Sequence, residues 1–346
     1  MKHLPWGVFD RLVETHGADS RVRSLSTKSQ LVALLYGQLS AAASLREIVA
    51  GLASHAVRLY HLGAKPVRRR PRCACPIISE SSSLNTATGV RLNQHSAGWA
   101  RFSAGVCGAK VHVIYDADAD RPIYAAVSAA NVNDITMAQR MPIEPGATYV
   151  FDLGYYDYAW WAELDAAACR IVTRFKSNTP LKLVEELALP PNTPILSDRI
   201  GFLPARQGSS RCNPMQNAVR EVRVTTDTGK VLRILSNDLD APAQEIADLY
   251  RRRWAIELFF RWVKQTLKIT RFLGTSENAV RIQIAVALIA FLLLRLAQAI
   301  QHATASPLAF ARLVRANLMH RRRIDRLLEP PAPLVLNPAQ LALQWS

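Results

Sequence analysis

The chain has 346 residues, nearly half of them apolar, enough to bury a substantial core, which excludes an intrinsically disordered protein. Its 43 lysines and arginines against 27 acidic residues give a net charge of +16, which favours a polyanionic partner, nucleic acid before an anionic membrane surface. Met1-Lys2-His3-Leu4-Pro5-Trp6 lacks the apolar run of a secretory signal, and Ile284 to Leu294, the nearest candidate for a span, reads as a buried helix too short to cross a bilayer.

Residues 26 to 62 read as helices. Ser26 and Thr27 can cap a helix over Lys28 to Leu39, and Ser44 can cap a second that begins at Leu45 and ends at Gly63. Two short helices joined by Ala41 to Ala43 and carrying Arg46, His55 and Arg58 suit a helix-turn-helix-like DNA contact; they suit an ordinary hairpin with solvated charges equally well. From Pro66 to Gly89 the chain is rich in arginine, cysteine, proline and serine and shows no strand or helix period, which predicts an irregular linker. Cys73, Cys75, Cys107, Cys169 and Cys212 are an odd set at irregular spacing, fitting free thiols of a reducing cytosol; Cys73-Ala-Cys75 has no second ligand pair that would suggest zinc.

Beyond the linker the signals become strand-like. Ala109 to Tyr115 alternates, Asp116 to Arg121 is a charged turn, and Pro122 to Val127 is a second strand, together a hairpin. A helix over Asp134 to Met141, a strand over Ala147 to Phe151, a helix over Tyr158 to Ala168 capped by Asp157, and a strand over Cys169 to Phe175 follow, with Trp160 and Trp161 expected in the core. This order predicts a mixed α/β sheet covered by helices. Residues 179 to 240 read as a mainly β insertion containing strands Val219 to Thr225 and Val231 to Ser236. Helices return at Ala243 and continue to about Thr266, Ser276 starts another, and the end is basic at Arg321 to Arg323 and then proline-rich.

The segment from Leu249 to Lys264 is the most informative. On a continuous helix with Tyr250 at zero, Arg253, Glu257 and Lys264 fall at about 300°, 340° and 320°, one narrow polar stripe. Ile256, Phe259, Val263 and Leu267 form a separate apolar stripe. A carboxylate held on a packed helix among cations suits a divalent metal beside a phosphate backbone. An amphipathic helix with a merely solvated polar side would account for the composition but not for the spacing.

Tyr250, two residues, Arg253, three residues, Glu257, six residues and Lys264 is the Y-(2)-R-(3)-E-(6)-K signature, and in it the chain resembles the bacterial transposases of insertion sequence family four. The stretches Trp99 to Lys110, Tyr149 to Asp157 and Asp248 to Leu294 also look like members of that family. The resemblance implies a ribonuclease-H-like catalytic core with a β insertion before the glutamate-bearing helix. It implies Asp152 and Glu257 as catalytic residues and as ligands of Mg2+ (or Mn2+) in a two-metal site, with Tyr250, Arg253 and Lys264 contacting DNA. The implied partner is double-stranded DNA, both transposon ends and target, bound by a dimer in the bacterial cytoplasm at the nucleoid, without a membrane. Asp152 by itself reads also as a simple turn former in Asp-Leu-Gly.

The expected divisions are a helical N-terminal DNA-binding unit over 1–66, an irregular, altered segment over 67–92, the first part of the core over 93–178, a β-rich insertion over 179–242, completion of the core over 243–300 and a basic, proline-rich tail over 301–346. One departure is plain: the family's first catalytic aspartate precedes the segment matched by Val90-Arg91-Leu92, and here Asn85 or Thr86 stands in its place. Asp116, Asp118 and Asp120 belong to a hairpin turn and are poor substitutes. Two functions follow, a metal-dependent transposase that cuts and joins DNA, or an internally altered remnant that binds DNA without cutting. A nuclease or RNA-binding protein on the same scaffold is a third.

Overall fold

Side chains alternate between the faces of a strand, so each strand of a covered sheet feeds two cores. The computed structural model describes residues 4–20, 22, 25–42, 44–55, 59, 64, 84–189, 191, 193–207, 211–266, 272–301 and 306–318. Its main sheet has ten strands: β1 (Leu84–Leu92), β2 (Arg101–Ser103), β3 (Val106–Asp116), β4 (Arg121–Ala129), β5 (Thr148–Phe151), β6 (Arg170–Arg174), β7 (Lys182–Glu186), β8 (Ile195–Phe202), β11 (Val219–Thr225) and β12 (Val231–Ser236). Two short strands, β9 (Arg206–Gln207) and β10 (Arg211–Cys212), pair apart from it.

Across the sheet the order is β4, β3, β1, β5, β6, β12, β11, β8 and β7, with β2 on the start of β3. β1, β5 and β6 run parallel, and the other pairings are antiparallel. The hairpin, the strand at 147–151 and the two insertion strands therefore form where the sequence placed them. The insertion does not stand apart from the core: β12 pairs with β6 in register Leu235 to Thr173, so its strands extend the same sheet.

The helices are α1 (Trp6–Thr15), α2 (Thr27–Ser40), α3 (Leu45–Ala53), α4 (Ala97–Ala100), α5 (Asp134–Ala138), α6 (Tyr158–Ala166), α7 (Ala243–Arg252), α8 (Trp254–Thr266), α9 (Glu277–Ile300) and α10 (Pro307–Asn317). On one sheet face Ala109, Val111, Val113, Val150, Val172, Val222 and Ile234 meet Ile246 of α7, Ile256, Phe259 and Val263 of α8, and Ile284 and Phe291 of α9. On the other, Tyr149, Phe151, Ile171 and Leu235 meet Trp160, Trp161 and Leu164 of α6. Both tryptophans are buried, so neither is placed to stack on a base. Asp157 caps α6 by accepting from the Ala159 and Trp160 amides, and Ser26, Ser44 and Ser276 cap α2, α3 and α9.

In the N-terminal unit α2 and α3 approach closely. A Cβ on Gly37 would lie 2.4 Å from Ile48 Cδ1, and one on Gly51 would lie 2.3 Å from the Tyr36 hydroxyl, so a larger residue at either crossing would displace the facing side chain. Arg46 is exposed on α3, while Arg58 and most of the expected helix beyond residue 55 lie outside the described residues.

Four expectations are corrected. Residues 84–92 are not linker: they form β1, because eight consecutive pairings with β3 supply backbone partners that no side-chain period announced. Residues 67–83, with Cys73 and Cys75, lie outside the described residues. The single helix assumed in placing Leu249 to Lys264 on one wheel breaks at Arg253, where the Arg253 amide bonds back to Tyr250 and Ile256 to Arg253, three residues rather than four. The tail beyond 301 contains α10, whose Phe310 and Ala311 are buried in the main core. Finally, α9 is 24 residues long and apolar enough to cross a bilayer by length and composition; here Val280, Ile284, Ala287, Phe291 and Leu294 bury its face in the protein core.

Candidate active site

Asp152 lies just beyond the end of β5. Val150 faces the helices α7 to α9 and Phe151 the opposite core, so alternation directs Asp152 toward the helical side. Its Oδ1 accepts from the Gly154 amide at 2.9 Å, capping a short 3-10 turn over Leu153–Tyr155. Oδ2 is left for another partner. The two readings of this residue are thus compatible: one oxygen makes the turn and the other faces a cation.

That cation is Arg253. Its Nη1 lies 3.9 Å from Asp152 Oδ2, and its Nη2 donates to Glu257 Oε1 at 2.8 Å. The guanidinium is largely buried, whereas both carboxylates keep about two-fifths of their side-chain surface exposed. Burial works against its charge, yet neighbouring Tyr250, Glu257 and Asp152 hold the Arg253 pKa above the ordinary arginine value. Nη1 is also buried without a hydrogen-bond partner among the described residues. The structure therefore brings Asp152, Arg253 and Glu257 together, an acid from a strand end and an acid from a helix on two sides of one guanidinium.

The other two signature residues sit differently. Tyr250 is buried in the main core rather than on an open polar stripe, with Arg253 5.8 Å above its ring. Burial raises its hydroxyl pKa; Arg253 and Arg174 oppose that effect and Asp152 adds to it. Tyr250 thus keeps the company of Arg253 that the spacing predicted, but from a buried position. Lys264 is part-buried near the far end of α8, and burial lowers its pKa.

The hairpin-turn aspartates are committed elsewhere. Asp116 accepts from the amides of Asp118 and Ala119, Asp118 pairs with Arg252, and Asp120 binds both Arg295 and the Tyr115 hydroxyl. On β1, Asn85 pairs with Phe151, which puts Thr86 level with Asp152 on the neighbouring parallel strand. The position beside the first carboxylate is thus occupied by a residue that brings no carboxylate.

Sequence reasoning missed three features near Asp152. Asp134, the first residue of α5, accepts from Lys110 Nζ at 2.9 Å, and a Cβ on Gly154 would lie 3.2 Å from its Oδ2 and 3.0 Å from Asp152 Oδ1. Tyr155 is fully buried beside them and its hydroxyl has no hydrogen-bond partner among the described residues. A cavity of about 420 Å³ opens next to Leu153 and is lined by Arg174, Lys176, Arg223 and Arg233. The polar pair Lys110 and His112, interrupting an apolar strand, was the available signal for the first of these.

Among the described residues no group of three or more His, Cys, Asp or Glu side chains is assembled to hold a metal. Asp152 and Glu257 are nevertheless hard oxygen donors, part-exposed and already turned toward one positive centre, which fits a cation that binds through one or two carboxylates and completes its shell with phosphate oxygens.

Comparison with known proteins bears on this arrangement. Residues 1–65 match a domain of unknown function. A Sinorhizobium fredii protein named as a transposase, y4zB, is 40% identical over 238 residues, covering 68% of this chain and 66% of that protein. A Geobacillus stearothermophilus protein named as a transposase for insertion sequence element IS5377 is 30% identical over 215 residues, 60% of this chain and 54% of that protein. The matches thus span less than two thirds of either relative's length. Among solved structures, a piggyBac transposase synaptic complex with hairpin DNA aligns at a TM-score of 0.38 and 12% identity over 74% of this chain and 56% of that one, a likeness too slight to carry weight. Residues 86–293, which hold Asp152, Arg253, Glu257 and the sheet that positions them, match the model of the transposase DDE domain, and the chain belongs to that family.

Proposed function

We propose that this protein is an insertion-sequence transposase that acts on double-stranded DNA, cleaving at transposon ends and joining the freed 3′-hydroxyl to a target, with Asp152 and Glu257 as its catalytic carboxylates. The observation that carries the reading is the convergence of those two acids on Arg253. The order β4, β3, β1, β5, β6, with β1, β5 and β6 parallel, supports a ribonuclease-H-like core, and the Tyr250, Arg253, Glu257, Lys264 spacing supports insertion sequence family four.

Asp152 and Glu257 would hold Mg2+ or Mn2+, which when bound supplies activation of the attacking oxygen and stabilisation of the leaving one. The chain's own residues bind and orient. Arg253 sits where it can exchange a carboxylate for a phosphate, and Lys264 is a further cation on the same helix. Tyr250, being buried, fixes the guanidinium rather than reaching far into solvent. The arginine-lined cavity beyond Leu153 continues the positive surface away from the acids. Two copies holding two ends at the nucleoid complete the reading.

A second reading has its own observation, the absence of a carboxylate at Asn85 and Thr86 beside Asp152. On that reading the protein binds ends without cutting. A labelled duplex carrying the element's end, incubated with the full chain and Mg2+, separates the two. Cutting that is abolished in Glu257→Gln supports the transposase; binding without cutting supports the remnant. Equal cutting of any duplex, and by Glu257→Gln, removes both.

A further inference from the structure

We propose that Asp134 stands in for the carboxylate that β1 lacks, holding a hydrated divalent cation jointly with Asp152. The inference rests on the reading of Asp152 as a cation ligand and adds a residue to that site. Asp134 starts α5, and its Oδ1 is fixed by Lys110, whose Nζ also donates to the Val132 carbonyl at 2.9 Å. Its Oδ2 is turned the other way, toward Gly154. Both Asp134 Oδ2 and Asp152 Oδ1 lie within 3.2 Å of the point a Gly154 side chain would fill, so a residue with no side chain is what lets the two acids approach.

Two carboxylates drawn together without a cation between them repel, and Lys110 reaches only one of them. The second observation is Tyr155. Its side chain is fully buried and its hydroxyl has no hydrogen-bond partner among the described residues, although it lies close enough to both acids to be influenced by them. A buried, unpartnered phenol oxygen on the turn that Asp152 caps can accept from a water of a cation's shell, and Mg2+ characteristically keeps several such waters. Asp152 then has one oxygen on the Asp134 side and the other toward Arg253, the placement of a carboxylate shared between two cation positions.

Mn2+ alone is the probe, titrated into the full chain and followed by the electron paramagnetic resonance of the free ion. Asp134→Asn, close in shape and able to keep a contact with Lys110, is expected to weaken Mn2+ binding on the order of tenfold, with an unchanged far-ultraviolet circular dichroism spectrum and melting transition. Mn2+ bound by Asp134→Asn as tightly as by wild type, while Asp152→Asn and Glu257→Gln lose it, overturns the proposal and leaves the underlying reading intact. Unchanged binding in Asp152→Asn brings down both. Fe2+-directed backbone cleavage of the wild-type chain gives a check without substitution: cuts beside both Asp134 and Asp152 are expected, and cuts beside Asp152 alone refute a role for Asp134.

Discussion

Replacing Asp198 with alanine tests whether the added strands and the core are one energetic unit. Arg220 of β11 donates from Nε to Asp198 Oδ1 at 2.8 Å and from Nη2 to Oδ2 at 2.7 Å, and both side chains are at most 5% exposed. The remaining nitrogen, Nη1, donates to the carbonyls of Leu239 and Ala241, just before α7. Asp198→Ala leaves that guanidinium buried with two of its three nitrogens unpaired, which costs about 3–5 kcal/mol, about a fifth or more of a typical domain's stability. Asp198→Leu combined with Arg220→Met removes the charge with its partner and is expected to recover most of that loss, short of the two loop hydrogen bonds, each worth about 1 kcal/mol. Urea unfolding followed by far-ultraviolet circular dichroism measures both. A single-variant cost below about 1 kcal/mol, or a double variant as unstable as the single, refutes the reasoning.

Three further outcomes are expected. Gly154→Ala introduces a Cβ 3.0 Å from Asp152 Oδ1 at a position with no backbone strain, so it should lower Mn2+ affinity on the order of tenfold while the melting temperature barely moves; equal affinity would show that Asp152 has room to spare. His112, with its ring buried against Ser128, has its pKa pushed down to about 4, by burial first, with Lys110 adding to the effect and Asp134 opposing it. Because the folded value lies below the unfolded one, its contribution is full above about pH 6.5 and is lost as pH falls toward 4. About 2 kcal/mol should therefore disappear by pH 5, and a His112→Gln chain with the same pH dependence would refute it. Gly37→Val forces side-chain atoms onto Ile48 and should destabilise the N-terminal unit by about 1–3 kcal/mol, read as faster proteolysis between α2 and α3; unchanged cleavage would mean the helices can separate freely.

What was legible in the sequence, and what was not, divides along physical lines. Strands over 219–225 and 231–236 show alternating β-branched residues between turn signals, and their observed bounds are the expected ones. Capping serines and Asp157 marked helix starts because a cap is a local interaction. β1 escaped because Asn-Thr-Ala-Thr-Gly becomes a strand only when β3 and β5 pair with it, a contact made across the fold. The four-residue spacing from Arg253 to Glu257 placed those two side chains together, and the wheel set Tyr250 beside Arg253 where the structure has it, but could not show that Tyr250 is buried there. Tyr155 was silent for a similar reason, and Asp134 was marked only indirectly by Lys110 and His112, since the proximity of both to Asp152 comes from how α5 packs on the turn after β5.

Main-chain bonding from β6 through β12 and β11 to β8 has a mechanical result. The arm bearing Arg223 and Arg233 cannot swing on a hinge relative to the tip of β5; its spacing from Leu153 is set by interstrand distances of about 4.8 Å and by the fixed twist between neighbours. Any polymer laid across that surface meets a rigid, curved anvil, and the bending falls to the polymer.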